Sequence, residues 1–327
     1  MNIVFMGTPD FAAKSLESIY NKGHNIIAVI TNPDRPKGRG MKMIPTPVKE
    51  FAQEKNIPVY QPEKIKENTE ILGLLKSLNP DVICVVAYGK ILPKEILEVP
   101  KFGCINVHAS LLPKYRGAAP IQWAILNGDK TTGVTTMFMD VGMDTGDIIL
   151  KKETSIGENE TTGELWDRLA ILGGKLLLET LEKIENGTYT RTKQDNEFTL
   201  APMLNKEMAK INWEQKTAAE IKNLVRGLNP IMGAYTTLEG KKVKFWRVDI
   251  IKFEEFFSKY PEFLEYSYRI TNLQPGTIIY INEKDGMLVK AKDDIINVLE
   301  IQAENSKRMP IADYLRGNQV NVGEILE

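Results

Sequence analysis

Through the first half of the chain, short apolar runs alternate with segments whose apolar residues recur at helical spacing. That order predicts a mostly parallel sheet covered by helices. Strands are expected over residues 3–5, 26–31, 82–87, 104–108 and 134–139, and helices over 11–20, 71–78, 91–99 and 121–126. A longer helix is expected over 162–185. It opens with Thr161 and Glu164 at capping-box spacing, carries Leu165, Leu169, Leu172 and Leu176 along one face, and stops at Gly187. From 190 to 208 the pattern dissolves into polar residues, which reads as a linker over the surface between a first domain, 1–189, and a second, 209–327. The second domain begins with a helix over 218–227 capped by Thr217 and Glu220. Alternating segments follow over 234–238, 243–248, 277–281, 288–291 and 296–301, the rhythm of a small antiparallel barrel or sandwich.

Composition narrows the class without naming a function. Of 327 residues, 43% are hydrophobic and 26% charged, which excludes collagen-like, coiled-coil and disordered readings of the whole chain. Lysine and arginine total 42 against 43 acidic residues, for a net charge of −1, so any basic surface has to be local. Cys84 and Cys104 lie in apolar runs and suit a reducing compartment as small buried hydrophobes. The first residues lack the basic region and apolar core of a signal peptide, and no window approaches the roughly 18 apolar residues of a membrane span. A cytoplasmic protein without a membrane partner is expected.

Only two histidines are present. His24 follows Gly23 in a turn and reads as solvated. His108 ends an expected parallel strand, where ligands bind in open α/β sheets, and Asn106, two residues earlier, shares its face. Downstream, Asp140-Val-Gly-Met-Asp144-Thr-Gly-Asp147 places three carboxylates in a glycine-bearing loop after another strand. A calcium loop is the rival reading, but the spacing does not match and glycine takes a ligand position. Zinc fits less well still, so no metal is expected. A carboxamide, an imidazole and a carboxylate, with no evident serine or cysteine nucleophile, suit a transfer whose substrate supplies the attacking atom. Asn106 could stabilise an oxyanion, His108 could move a proton, and Asp144 could orient the imidazole. Acyl transfer to an amine and amide hydrolysis both remain open on these parts. Gly7-Thr-Pro-Asp-Phe11 lacks the glycines of a dinucleotide-binding turn, and Pro9 reads instead as a first-turn helix residue.

Several longer motifs carry a resemblance: Gly7-Thr-Pro-Asp-Phe11, Asn32-Pro-Asp-Arg-Pro-Lys-Gly-Arg-Gly40, Ala87-Tyr-Gly-Lys-Ile-Leu-Pro93, Asp140 to Asp147 and, most specific, Asn106-Val-His-Ala-Ser-Leu-Leu-Pro-Lys-Tyr-Arg-Gly-Ala-Ala-Pro-Ile-Gln122. By these the chain resembles, nearly end to end, the methionyl-tRNA formyltransferase family within the wider folate-dependent formyltransferases. The resemblance implies formyl transfer from 10-formyltetrahydrofolate to the methionine amine of initiator methionyl-tRNA. It also implies Asn106, His108 and Asp144 as the catalytic trio, and Ser110, Leu111, Leu112 and Pro113 as a folate-binding stretch with Ile91 and Leu92 beside the pterin. The fold it implies is α/β: a Rossmann-like, mostly parallel sheet with helices on both faces, then a small C-terminal β-barrel of oligonucleotide-binding type. A monomer is expected.

The trio alone does not name the acceptor, because related enzymes formylate other amines, amino sugars among them. Residues 35–49 carry Arg35, Lys37, Arg39, Lys42 and Lys49 without an acid, and their glycines and prolines argue against a helix. A basic loop of that kind suits phosphate contact. The resemblance makes it the segment that reaches the tRNA end, with Arg39 as main contact and Lys37 and Lys42 beside it. Asn229-Pro-Ile-Met-Gly-Ala-Tyr235 resembles the family's motif at the entry to the barrel, with Ile231 where a tryptophan is usual. The stretch 252–272, with seven aromatics and four acids, is longer than the family pattern and reads as a helical surface insertion or an added contact. Residues 206–327 hold equal numbers of basic and acidic residues. Polyanion binding there would need lysines gathered on one face, with Lys241, Lys242, Lys244 and Arg247 as candidates.

Overall fold

The computed structural model describes residues 1–37 and 41–327, the side chain of Lys37 excepted. The described chain forms two compact units: 1–121 with 131–155 and 165–203, and 122–130 with 156–164 and 204–327.

The first unit contains β1 (Asn2–Gly7), α1 (Asp10–Asn21), β2 (Asn25–Ile30), β3 (Arg35–Lys37), β4 (Lys42–Ile44), α2 (Pro47–Glu54), β5 (Val59–Tyr60), α3 (Thr69–Leu78), β6 (Val82–Val86), α4 (Lys94–Leu97) and β7 (Cys104–His108). The helix α5 (Pro120–Leu126) precedes β8 (Thr131–Phe138) and β9 (Ile148–Ser155), and α6 (Thr162–Glu185) follows. Among the described residues seven strands make one sheet in the order β5-β2-β1-β6-β7-β8-β9. β6 throughout and β1 from Ile3 onward are unbroken apolar runs because both their faces are covered. β1, β2, β5, β6 and β7 run parallel, with Phe5 opposite Cys84 and Cys84 opposite Ile105. β8 turns antiparallel to β7, pairing His108 with Thr135, and β9 is antiparallel to β8. Gly7 lets α1 approach the sheet, for a Cβ there would lie 2.7 Å from that of Ala12.

Several elements depart from the pattern reading. The helix expected over 91–99 shrinks to α4, because Pro93 occupies its N-cap and Pro100 closes its far side. Pro9 is likewise the N-cap of α1 and not a residue of its first turn. The basic segment is not helix-free: α2 begins at Pro47, with the Thr46 hydroxyl accepting from the Lys49 amide at 3.1 Å. Strand β9 escapes a hydrophobicity pattern because, at the sheet edge, its later residues Lys151, Lys152 and Glu153 face solvent.

The second unit contains α7 (Ala218–Gly227), β10 (Ala234–Leu238), β11 (Lys241–Ile251), α8 (Phe253–Lys259), α9 (Ser267–Thr271), β12 (Ile278–Asn282), β13 (Gly286–Lys290), β14 (Ile295–Ala303), β15 (Met309–Pro310) and α10 (Ile311–Gly317). An antiparallel sheet runs β10-β11-β14-β13-β12, with β15 added beside β14. Ile221 and Val225 of α7 join Phe245, Ile296, Val298 and Ile301 in its core. Residues 323–327 bridge the two edge strands. Glu327 exchanges backbone hydrogen bonds with Thr237 of β10, while Leu326 donates to Gly276 and Glu324 accepts from Ile278 beside and within β12. The sheet therefore closes through the chain's last residues into a small barrel. The aromatic stretch is helical and packs onto the sheet: Phe256, Tyr260 and Ile270 form a cluster with Ile279, Leu288 and Ile295.

Candidate active site

His108 occupies the carboxyl end of β7 and is buried. Its Nε2 lies 2.8 Å from the Tyr115 carbonyl. A carbonyl only accepts, so Nε2 carries a hydrogen, and the neutral ring keeps its basic lone pair on Nδ1. Nδ1 lies 3.7 Å from Asp144 Oδ2. The same Oδ2 accepts from the Gly117 amide at 2.8 Å. Asn106 is half-buried on the same strand, opposite Val85 and Met137. Alternation along β7 turns its carboxamide to the face that carries His108.

The structure separates the three acids of the loop. Asp140 closes its own turn, accepting from the Gly142 amide at 3.0 Å and the Thr145 hydroxyl at 2.6 Å. Asp147 is held by Arg191 Nε at 2.9 Å. Asp144 is the one drawn to His108. Among the described residues no group of three histidine, cysteine or acidic side chains is arranged to hold a metal ion. Burial pushes the Cys104 thiol up to about 12 and Cys84 higher still, which leaves neither as a nucleophile near neutral pH. His24 lies in the turn after α1, its pKa lowered chiefly by burial.

The segment after His108 is tied down on both sides. Thr135 donates its hydroxyl to the Ser110 carbonyl at 2.7 Å and accepts from the Leu112 amide at 3.1 Å. The Ser110 hydroxyl reaches the Lys114 carbonyl at 2.5 Å. The Leu112 side chain is buried with Met137 and Ile148, Leu111 is half-buried, and the peptide bond to Pro113 is cis. Ile91 is 78% exposed, whereas Leu92 packs into the core with Tyr88, Ile96 and Cys104. Any contact of Leu92 with a folate would therefore use its backbone.

Of the basic segment, Arg39 lies outside the described residues. Lys37 and Lys42 pair across the β3–β4 hairpin, and Lys42 is exposed. Lys49 is committed elsewhere, its Nζ 2.6 Å from Asp34 and 2.8 Å from the Gln61 oxygen. Lys42 and Lys49 thus have different surroundings despite their common charge. On β11, Lys244 donates to the Met232 carbonyl at 2.7 Å, and Lys242 lies over the Tyr235 ring.

Residues 1–181 match the family model described as formyl transferase, and 203–319 the one described as formyl transferase, C-terminal domain. The chain belongs to the formyl transferase family. A methionyl-tRNA formyltransferase of Clostridioides difficile (strain 630) is 50% identical over 327 residues, covering 100% of both chains. One of Caldanaerobacter subterraneus subsp. tengcongensis is 48% identical over 328 residues with the same coverage. Among solved structures, the sugar 3N-formyl transferase WlaRD, in the presence of dTDP and 5-N-formyl-THF, matches with TM-score 0.62 at 22% identity over 94% of this chain and 99% of that one. HypX from Aquifex aeolicus in complex with tetrahydrofolic acid gives TM-score 0.62 at 15% identity over 98% of this chain, which spans about half of HypX (50%). At such identities these likenesses carry the fold alone.

Within this formyl transferase fold, sequence patterning overlooked the residues that hold the site in place. The stretch 190–203, read as linker, is part of the first unit. Thr192 exchanges backbone hydrogen bonds with Ile148, and Ala201 accepts from Ala119 and donates to Arg116. The Thr199 hydroxyl accepts from the Tyr115 amide at 2.8 Å. Gly117 has φ +126°, and a Cβ there would lie 2.7 Å from the Ala201 carbonyl oxygen, so only glycine fits this crossing. Arg116 and Gly117 belong to the most specific motif and could have been noticed there. Gln194 and Thr199 carry no signal in the sequence, because an irregular polar stretch looks the same whether it is solvated or pinned.

Proposed function

We propose that the chain transfers the formyl group of 10-formyltetrahydrofolate to the α-amine of methionine on initiator methionyl-tRNA. Its first unit would carry the chemistry and its barrel would hold the tRNA, with the protein acting as a cytoplasmic monomer. The observation that carries the reading is the His108 arrangement, with Nε2 engaged by the Tyr115 carbonyl and Nδ1 turned to Asp144. All three proposed catalytic residues come from one unit of one chain, so the chemistry needs no second copy. The full-length identity to named methionyl-tRNA formyltransferases favours tRNA over a free amino sugar as acceptor.

The donor set fits the reaction. An α-amine with pKa of about 7.7 is roughly one-sixth neutral at pH 7, and that fraction can attack a formyl carbon. Asn106 donates from its carboxamide to the formyl oxygen as negative charge gathers there. His108 takes the amine proton at Nδ1 and returns it to the departing folate nitrogen. Asp144 stabilises the imidazolium in between. Ser110, Leu111, Leu112 and Pro113, with Ile91 and the Leu92 backbone, border the donor's place. Arg39, Lys37 and Lys42 meet the acceptor end of the tRNA.

The test is formylation of charged initiator tRNA by wild type, His108→Ala and Asp144→Ala. Wild type is expected to need the folate donor. Both variants should lose turnover, by roughly a thousandfold or more for the proton-transfer residue, while binding tRNA with affinity near wild type. Full activity in either variant would refute the assignment, and an amino sugar accepting the group in place of tRNA would replace the substrate.

A further inference from the structure

The Gln194 carboxamide has every hydrogen-bonding position in use. Its Oε1 accepts from Arg116 Nε at 3.0 Å and Nη2 at 2.8 Å. Its Nε2 donates to the carbonyls of Asp144 at 2.8 Å and Gly146 at 2.9 Å. A primary amide offers two donors and an oxygen with two lone pairs, and all four are matched. One anchor is the Arg116 guanidinium, which rises from segment 115–117, and both anchored segments fix the catalytic side chains. Backbone 115–117 supplies the carbonyl bonded to His108 Nε2 and the amide bonded to Asp144 Oδ2. The other anchor is the backbone of Asp144 itself. Asp144 has φ +55°, in the left-handed region, a conformation that persists in a non-glycine residue when its surroundings impose it.

We infer that Gln194 is a positioning residue. It clamps the 140–147 turn to the 115–117 segment and so sets the distance between Asp144 and His108. The inference rests on the formyl-transfer reading above. Glutamate cannot replace it, since a carboxylate of the same shape would set an oxygen against two carbonyl oxygens.

The experiment compares full-length wild type, Gln194→Ala and Gln194→Glu in formyl transfer to charged initiator tRNA, recording kcat, KM for donor and tRNA, and Tm. Misplacing a proton-transfer pair by about 1 Å costs up to about a hundredfold. Both variants should therefore lose about 10- to 100-fold in kcat with each KM within about threefold of wild type. A merely structural role would instead raise KM and lower Tm with kcat preserved. The inference is overturned by a kcat within about twofold of wild type in either variant, or by loss confined to KM. Should alanine prevent folding, Gln194→Glu and the shorter amide Gln194→Asn are judged by the same split. A wild-type chain that transfers no formyl group would overturn the underlying reading instead.

Discussion

At the residue scale, position decides what identical chemistry does. Asp140, Asp144 and Asp147 lie within eight residues of sequence, yet only Asp144 meets an imidazole, because its neighbours are spent on their own turn and on Arg191. Asn106 differs from the many surface amides by sitting on a strand whose register fixes its direction. A donor aimed at developing charge contributes most in the transition state, and removing one costs about 10²- to 10³-fold in kcat. Asn106→Ala should show that loss with the KM for charged tRNA nearly unchanged. Steady-state kinetics will check it, and an equal fall in tRNA affinity with kcat intact would place Asn106 in binding.

At the element scale, α7 carries a complete capping box. The Thr217 hydroxyl accepts from the Glu220 amide, and the Glu220 carboxylate accepts from the Thr217 amide and hydroxyl, both at 2.8 Å. These bonds, the backbone one foremost, hold the Glu220 carboxyl below its ordinary range. A carboxyl whose folded-state pKa is depressed adds stability that is complete above its unfolded value, about 4.3, and is lost as pH falls through the lower folded value. Thr217→Ala should cost about 1 kcal/mol at pH 7 by urea unfolding. The stability gap between wild type and Glu220→Ala should narrow once pH drops below about 4. A gap of constant size down to pH 3 would assign the effect to something other than the ionised carboxylate.

Across the whole molecule, contacts distant in sequence complete both units. The second unit's sheet has an open edge at β12 and one at β10 that residues 210–211 cover only at Tyr235, until residues 323–327 join them, which removes an edge that would otherwise invite pairing with other chains. Leu326 is buried in that unit's core. Leu326→Ala should destabilise the barrel by about 2–5 kcal/mol, the cost of a cavity plus lost transfer energy. Calorimetry should record the loss in the transition of the second unit, and an unchanged Tm would mean that the Leu326 side chain adds nothing to the closure. In the first unit the corresponding device is the stretch 190–203, which returns to pin backbone beside His108.

Read from the amino acids alone, the strongly periodic elements are already legible. The parallel core of β1, β6 and β7, the capped helices α6 and α7 and the alternating strands of the barrel follow from burial on one face or two, which leaves a local period in the sequence. His108, Asn106 and the 140–147 loop are legible as well, through strand-end position and side-chain chemistry. What the tertiary structure decided has no period. It chose Asp144 from three equivalent acids, gave Lys49 to Asp34 while leaving Lys42 exposed, packed an aromatic stretch onto the sheet, and brought Gln194 onto the active-site backbone. Each of these depends on hydrogen-bond partners and packing neighbours many residues away, and distance along the chain carries no trace of which polar group will find which.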